Sequence, residues 1–158
     1  MNTLCVWCFA DPEAAERVLP RLSDARVVID DAALVTWPPG RRTPASRELG
    51  SSDGPGHLWG GFWGMLLGLI FVTPVAGPTF GAAAGALAGR LADFGVADDF
   101  VKRVRETVTP GRSAIFALCD RPSAEWVGDR LAGLDLARLR SELSLEQAQH
   151  LRDTLGDR

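Results

Sequence analysis

Few side chains in this sequence are spaced so that they could do chemistry together. Cys5 and Cys8 form a C-x-x-C pair, the spacing used by zinc sites and by dithiol redox centres. The residues around them, 3–10, are an apolar run rich in Val, Trp and Phe, which reads as a buried strand. Positions three apart on a strand point to opposite faces, so these thiols cannot readily share a metal ion. The chain has no second C-x-x-C; its third cysteine is Cys119 and its only histidines are His57 and His150. Buried structural cysteines and no metal are therefore expected. An odd cysteine count fits a reducing compartment better than a disulfide framework. A secretory signal is not expected at residues 4–10, which lack a basic leader and run straight into Asp11, Pro12 and Glu13.

The remaining candidates are weaker. Asp93, Asp98 and Asp99 cluster, but helix capping and solvated charge account for them. His57 sits beside a long apolar run and could titrate near neutral pH, while His150 falls in a polar stretch. The sequence contains no P-loop, no G-x-S-x-G and no H-E-x-x-H. The glycine cluster starting at Gly60 lies inside an apolar segment, the wrong setting for a dinucleotide fingerprint. No catalytic residue, no cofactor and no metal are expected, and the protein reads as non-enzymatic.

The elements that would position any site fall into two kinds. The 158 residues are 46% hydrophobic and 23% charged, with a net charge of −3, which disfavours disorder and a basic nucleic-acid binder. Mean hydropathy is +0.04, but this average conceals a division. No charged residue occurs between Asp53 and Arg90, and residues 58–89 comprise 20 hydrophobic residues, 8 Gly, 2 Pro and 2 Thr. A mildly acidic chain thus carries a long uncharged insert.

On either side of the insert the patterns are those of an α+β domain. After the strand at 3–10, apolar residues at Ala14, Ala15, Val18, Leu19 and Leu22 mark a helix ending near Ser23. Residues 27–29 and 34–37 read as extended, and 41–48 are expected to return as a polar edge strand after the turn at Pro38, Pro39 and Gly40. Beyond the insert, Asp98 is placed to cap a helix that buries Phe100, Val101, Val104 and Val108. Residues 113–119 (SAIFALC) read as a second buried strand, and a helix after Pro122 turns Trp126, Val127 and Leu131 inward. Residues 137–143 alternate as a strand, with a helix as the alternative, and Ser144 to Gln147 form a capping box opening a last helix. This order fits a small antiparallel sheet of the ferredoxin-like, split β-α-β kind. Neither flank has enough strands alone, so residues 1–50 and 96–158 should build one discontinuous domain, with 51–57 as linker and 58–95 as a helical hairpin.

Pro74, Gly77 and Pro78 argue against one continuous helix through the insert, because proline removes a donor and clashes with the preceding turn. Two helices, 58–72 and 79–94, are expected instead. Gly60, Gly64 and Gly68 fall four apart, as do Gly77, Gly81, Gly85 and Gly89, which places a smooth stripe on one face of each. An interior glycine costs about 1 kcal/mol relative to alanine, and close approach of another helix is one compensation. Trp59, Phe62, Trp63, Leu66, Leu67, Leu69, Ile70 and Phe71 give the first helix a bulky surface suited to lipid, to a neighbouring subunit or to an intramolecular core. A 15-residue helix is about 22 Å long, short of a hydrocarbon core of roughly 30 Å.

The ordered succession of these motifs resembles a bacterial family, domain of unknown function 1269. The residues that carry the resemblance are LWGGFWG at 58–64, PVAG at 74–77, GAAAGALAG at 81–89, ADFGVADDF at 92–100, PGRSAIF at 110–116 and SLEQ at 144–147. The resemblance implies a small α+β domain with a central glycine-rich hydrophobic hairpin. It implies no activity and no catalytic residues. Members are often described as predicted membrane proteins, which rests on the same hydropathy. Arg41, Arg42 and Arg47 before the insert, with Arg90, Lys102, Arg103 and Arg105 after it, agree with hairpin ends on the cytoplasmic side.

The leading expectation is a non-enzymatic membrane-associated protein of the bacterial cytoplasmic membrane, self-associating through its glycine-lined hairpin with the α+β domain in the cytoplasm. Its partners would be further copies of the chain and the lipid bilayer, not nucleic acid. The alternatives are a soluble cytoplasmic homo-oligomer with hairpins buried at its core, and a membrane-anchored small-ligand sensor or enzyme.

Overall fold

The computed structural model describes residues 2–22, 29–48, 66–72, 89, 91–92 and 96–142. Along the chain these form β1 (Asn2–Phe9), α1 (Ala14–Val18) continued by a 3-10 turn (Leu19–Leu22), β2 (Ile29–Thr36) and β3 (Ala45–Glu48). After the insert come α2 (Asp98–Thr107), β4 (Ser113–Asp120), α3 (Arg121–Arg130) and β5 (Leu136–Glu142). The five strands make one sheet in the order β3-β2-β4-β1-β5, with every neighbouring pair antiparallel. Strands from before and after the insert are therefore interleaved. The fold is α+β.

β1 and β4 form the centre because their sequences are apolar without alternation, which only a strand covered on both faces tolerates. They pair along their whole length, from Asn2 opposite Asp120 to Phe9 opposite Ser113. Side chains alternate between two cores. Cys5, Trp7, Phe9, Ile115, Ala117 and Cys119 face Ala15 and Val18 of α1 and Ala124 and Val127 of α3. Leu4, Val6, Cys8, Ala114, Phe116 and Leu118 face Phe100, Val101 and Val104 of α2 and the described part of the insert.

Several local expectations change in detail. The two extended stretches expected at 27–29 and 34–37 meet in one strand, β2, whose pairing with β4 slips between Ile29 and Asp31. The extra residue there, Asp30, is a bulge, and the Asp30-Asp31 pair hides the continuity of the strand from hydropathy. The polar edge strand is shorter than 41–48: Arg41 and Arg42 lie in the preceding loop, where the Trp37 indole N–H donates to the Arg41 carbonyl at 2.9 Å. Asp98 does not cap α2. The cap position is Ala97 and makes no side-chain bond, so Asp98 and Asp99 act as first-turn charges at the positive end of the helix dipole. The buried face of α2 is the one its spacing predicts: Phe100, Val101 and Val104, with Val108 buried just beyond its end. The last helix, opened by Ser144, lies outside the described residues.

α3 owes its start to Asp120, whose carboxylate accepts the Ser123 backbone N–H at 2.8 Å, with Pro122 in the first turn. The Ser123 hydroxyl and N–H together hold the Asp120 carboxyl below the usual carboxylate range. Because the folded state favours the charged form, this stabilisation is present above the unfolded value, about pH 4, and is lost as pH falls through the lower folded value. Asp120→Ala should cost about 1 kcal/mol in urea denaturation near neutral pH, and the difference should shrink on acidification.

Candidate functional site

Of the insert residues singled out by sequence, Leu66, Gly68, Ile70, Phe71 and Gly89 are described; Trp59, Gly60, Phe62, Trp63, Gly64, Gly77, Gly81 and Gly85 lie outside the described residues. Residues 66 and 67 are helical and run into a π-helical turn, Gly68–Val72. Their side chains are core. Leu66 and Ile70 are fully buried, and Leu67, Leu69 and Phe71 nearly so, against the face of the sheet formed by Leu4, Val6, Phe116 and Leu118. Phe71 stands edge-on to Trp37 at 5.6 Å and to Phe116 at 6.4 Å between ring centroids. Leu91, near the far end of the insert, is fully buried in the same cluster. The described parts of the insert thus pack on the sheet of their own chain. Among the described residues no helix is long and apolar enough to cross a membrane.

Arg105, one of the basic residues that flank the insert in sequence, fastens this arrangement, a role its spacing does not reveal. From α2 its Nε donates to the Ile70 carbonyl at 3.0 Å and one terminal nitrogen donates to the Leu69 carbonyl at 2.7 Å. A charged donor thus serves two backbone carbonyls of the π-helical turn. In sequence Arg105 is indistinguishable from Lys102 and Arg103, which are exposed on the same helix. The two described glycines behave differently from the bulky residues. Gly68 is half-buried and Gly89 exposed, and among the described residues a Cβ built on either would meet no atom within 4 Å.

The thiols divide as strand geometry requires: Cys5 lies in one core and Cys8 in the other. Cys8 donates to the Thr107 carbonyl at 3.5 Å, and burial pushes its thiol pKa up. Cys5 instead meets Cys119, whose thiol hydrogen bond, aided by the nearby Arg140 and Arg138 cations, lowers the Cys5 pKa against the effect of burial. The pairing register brings them together, since Cys119 is opposite Thr3 and Cys5 is two residues along the same face. All three cysteines are buried, and none forms a disulfide. Among the described residues the Trp7 indole N–H in this core has no hydrogen-bond partner. No group of three potential metal ligands converges among the described residues. Asp98 and Asp99 are exposed; His57, Asp93 and His150 lie outside the described residues.

A second feature lies on the opposite face. Where β1 passes into α1, Phe9, Asp11, Arg17, Val18, Arg21, Leu134 and Asp135 line an open cleft of about 560 Å³. Its polar wall is tightly bonded. The Ser113 hydroxyl donates to the Asp11 carbonyl at 2.6 Å and accepts the Ala15 N–H at 3.0 Å. The Asp11 carboxylate accepts the Glu13 N–H at 2.8 Å and pairs with Arg17 at 2.7 Å. Arg17, ahead of that N–H, holds the Asp11 carboxyl below the usual range. Sequence reasoning missed the cleft because its residues come from segments more than 100 positions apart.

The buried seat of the insert has a direct consequence for stability. Ile70→Ala should destabilise the domain by roughly 2–5 kcal/mol, the range for truncating a large aliphatic core residue. Chemical denaturation of the purified protein measures it; an unchanged midpoint would mean that Ile70 is not a core residue.

No curated protein and no solved structure matches the chain. A family model described as "Protein of unknown function (DUF1269)" matches residues 57–156, which include the insert, α2, β4, α3 and β5 but not β1. With more than half of its length matched, the chain belongs to this family of unknown function.

Proposed function

We propose that the protein is a non-enzymatic, self-associating module whose α+β domain serves as the base for a glycine-spaced packing element. The observation that carries this reading is the seating of two described parts of the insert: Phe71 and Leu91 are buried in one cluster on one face of the sheet. The sequence between these seats contains Gly77, Gly81 and Gly85 and no charge. A small-residue face allows backbones of neighbouring helices to approach closely. The open space around the exposed, helical Gly89 supports such a face being available to a second copy. The domain itself fits an elaborated ferredoxin-like plan. With the short edge strand β3 set aside, the order β2-β4-β1-β5, all antiparallel, and the packing of α1 and α3 on one face support that assignment.

Association at the cytoplasmic membrane is the second reading, favoured by the lack of any charge from residue 54 to residue 89. The seats limit its form. Residues 73–88 are fewer than the roughly 20 that one helical crossing needs, and returning to the same face would require two crossings. Shallow insertion is therefore the membrane form this reading takes. Replacing Gly81 and Gly85 with Leu should abolish self-association, read as particle mass by light scattering during size exclusion with and without detergent. Unchanged particle mass would overturn the glycine-packing reading. Retention of the wild-type protein in carbonate-washed membranes would select the bilayer, and a uniform detergent-free oligomer would select the soluble assembly.

A further inference from the structure

We propose that the cleft between α1, the turn after it and the α3–β5 loop binds a small zwitterion with an apolar side chain, an amino acid or short peptide. Its volume, about 560 Å³, lies in the range of small-molecule sites. The floor is apolar, formed by the buried Phe9 and Val18. Leu134 adds an apolar wall and is the only large hydrophobic residue exposed among the described residues, at 37%. That wall is a built turn. Gly133 has φ +90°, a conformation that L side chains rarely adopt, and the Leu134 N–H donates to the Leu131 carbonyl at 3.2 Å. Leu134 thereby offers an apolar wall to a ligand lying in the cleft.

The charges around the cleft set the class of ligand. Asp11 and Arg17 satisfy each other at 2.7 Å. Arg21, on the 3-10 turn, and Asp135, at the start of β5, line the same cleft, and neither makes an ion pair among the described residues. One guanidinium and one carboxylate thus remain to face a ligand. A simple anion would leave Asp135 against its apolar body, and a simple cation would leave Arg21 there. A molecule with both a carboxylate and an ammonium answers both charges while its side chain covers Phe9, Val18 and Leu134.

Equilibrium dialysis of the purified full chain with labelled L-phenylalanine and L-leucine tests this, with 3-phenylpropionate and 2-phenylethylamine as competitors carrying only one of the two charges. We expect L-phenylalanine to bind roughly tenfold more tightly than either competitor, the loss expected for one charge-assisted hydrogen bond. Arg21→Gln and Asp135→Asn should each weaken it to a similar degree, and Leu134→Asp should weaken it while leaving the circular dichroism spectrum and thermal midpoint near the parent's. Arg21 and Asp135 are exposed, so their variants should fold. Absence of saturable binding by both amino acids at millimolar concentration would overturn the proposal. So would equal binding of the single-charge competitors, or binding unaffected by the variants.

Discussion

The structure depends on a sheet whose central strands are apolar on both faces. From residue 3 to residue 9 every side chain of β1 is buried, and β4 is buried from Ser113 to Cys119. Leaving one face uncovered would expose Leu4, Val6, Phe116 and Leu118, each worth about 1.5–3 kcal/mol of burial when large. α2 alone has ten residues and cannot cover five strands. The insert supplies the remainder with Leu66, Ile70, Phe71 and Leu91. Its uncharged character follows from this duty over the described part: a segment lying on an apolar sheet has no reason to carry charge on that side.

The two faces are covered in different ways, and the difference places the molecule's features. The insert face is sealed by large side chains and by Arg105, whose guanidinium ties α2 to the Leu69 and Ile70 carbonyls. The opposite face is covered by short elements. α1 has five residues before tightening into a 3-10 turn, and α3 packs beside it. The cleft opens along that shorter cover, where β1 ends at Phe9. β1 is the common wall: Phe9 forms the floor of the cleft while its neighbour Cys8 packs in the opposite core.

Much of the fold was legible in the sequence because continuous apolar runs and helical stripes are local signals. β1, β4 and the buried face of α2 follow from hydropathy alone, and so does the separation of Cys5 from Cys8. β2 was harder, since Asp30 and Asp31 interrupt it and the bulge that accommodates them depends on pairing with β4. The medium around Leu66, Ile70 and Phe71 was not readable. A segment without a polar face is equally compatible with lipid, a second subunit and its own core, and only tertiary packing selects among them. The Arg105 hydrogen bonds, the Cys5–Cys119 contact and the cleft were invisible for another reason: each joins residues that are distant in the chain, and no alternation or spacing records the meeting.

The glycines pose the remaining physical question. A glycine within a helix costs about 1 kcal/mol relative to alanine, so its presence needs a close neighbour or a special backbone conformation. Gly40, Gly111 and Gly133 have the second reason, with φ near +90°. Gly68 and Gly89 do not, and among the described residues a Cβ at either position would have room. The contacts made on the sheet explain the bulky described residues of the insert but not the exposed Gly89. On the self-association proposed above, helix packing against a second copy would give Gly89 its neighbour. Under that proposal one apolar segment would serve two partners, its bulky described residues their own sheet and its glycines another molecule.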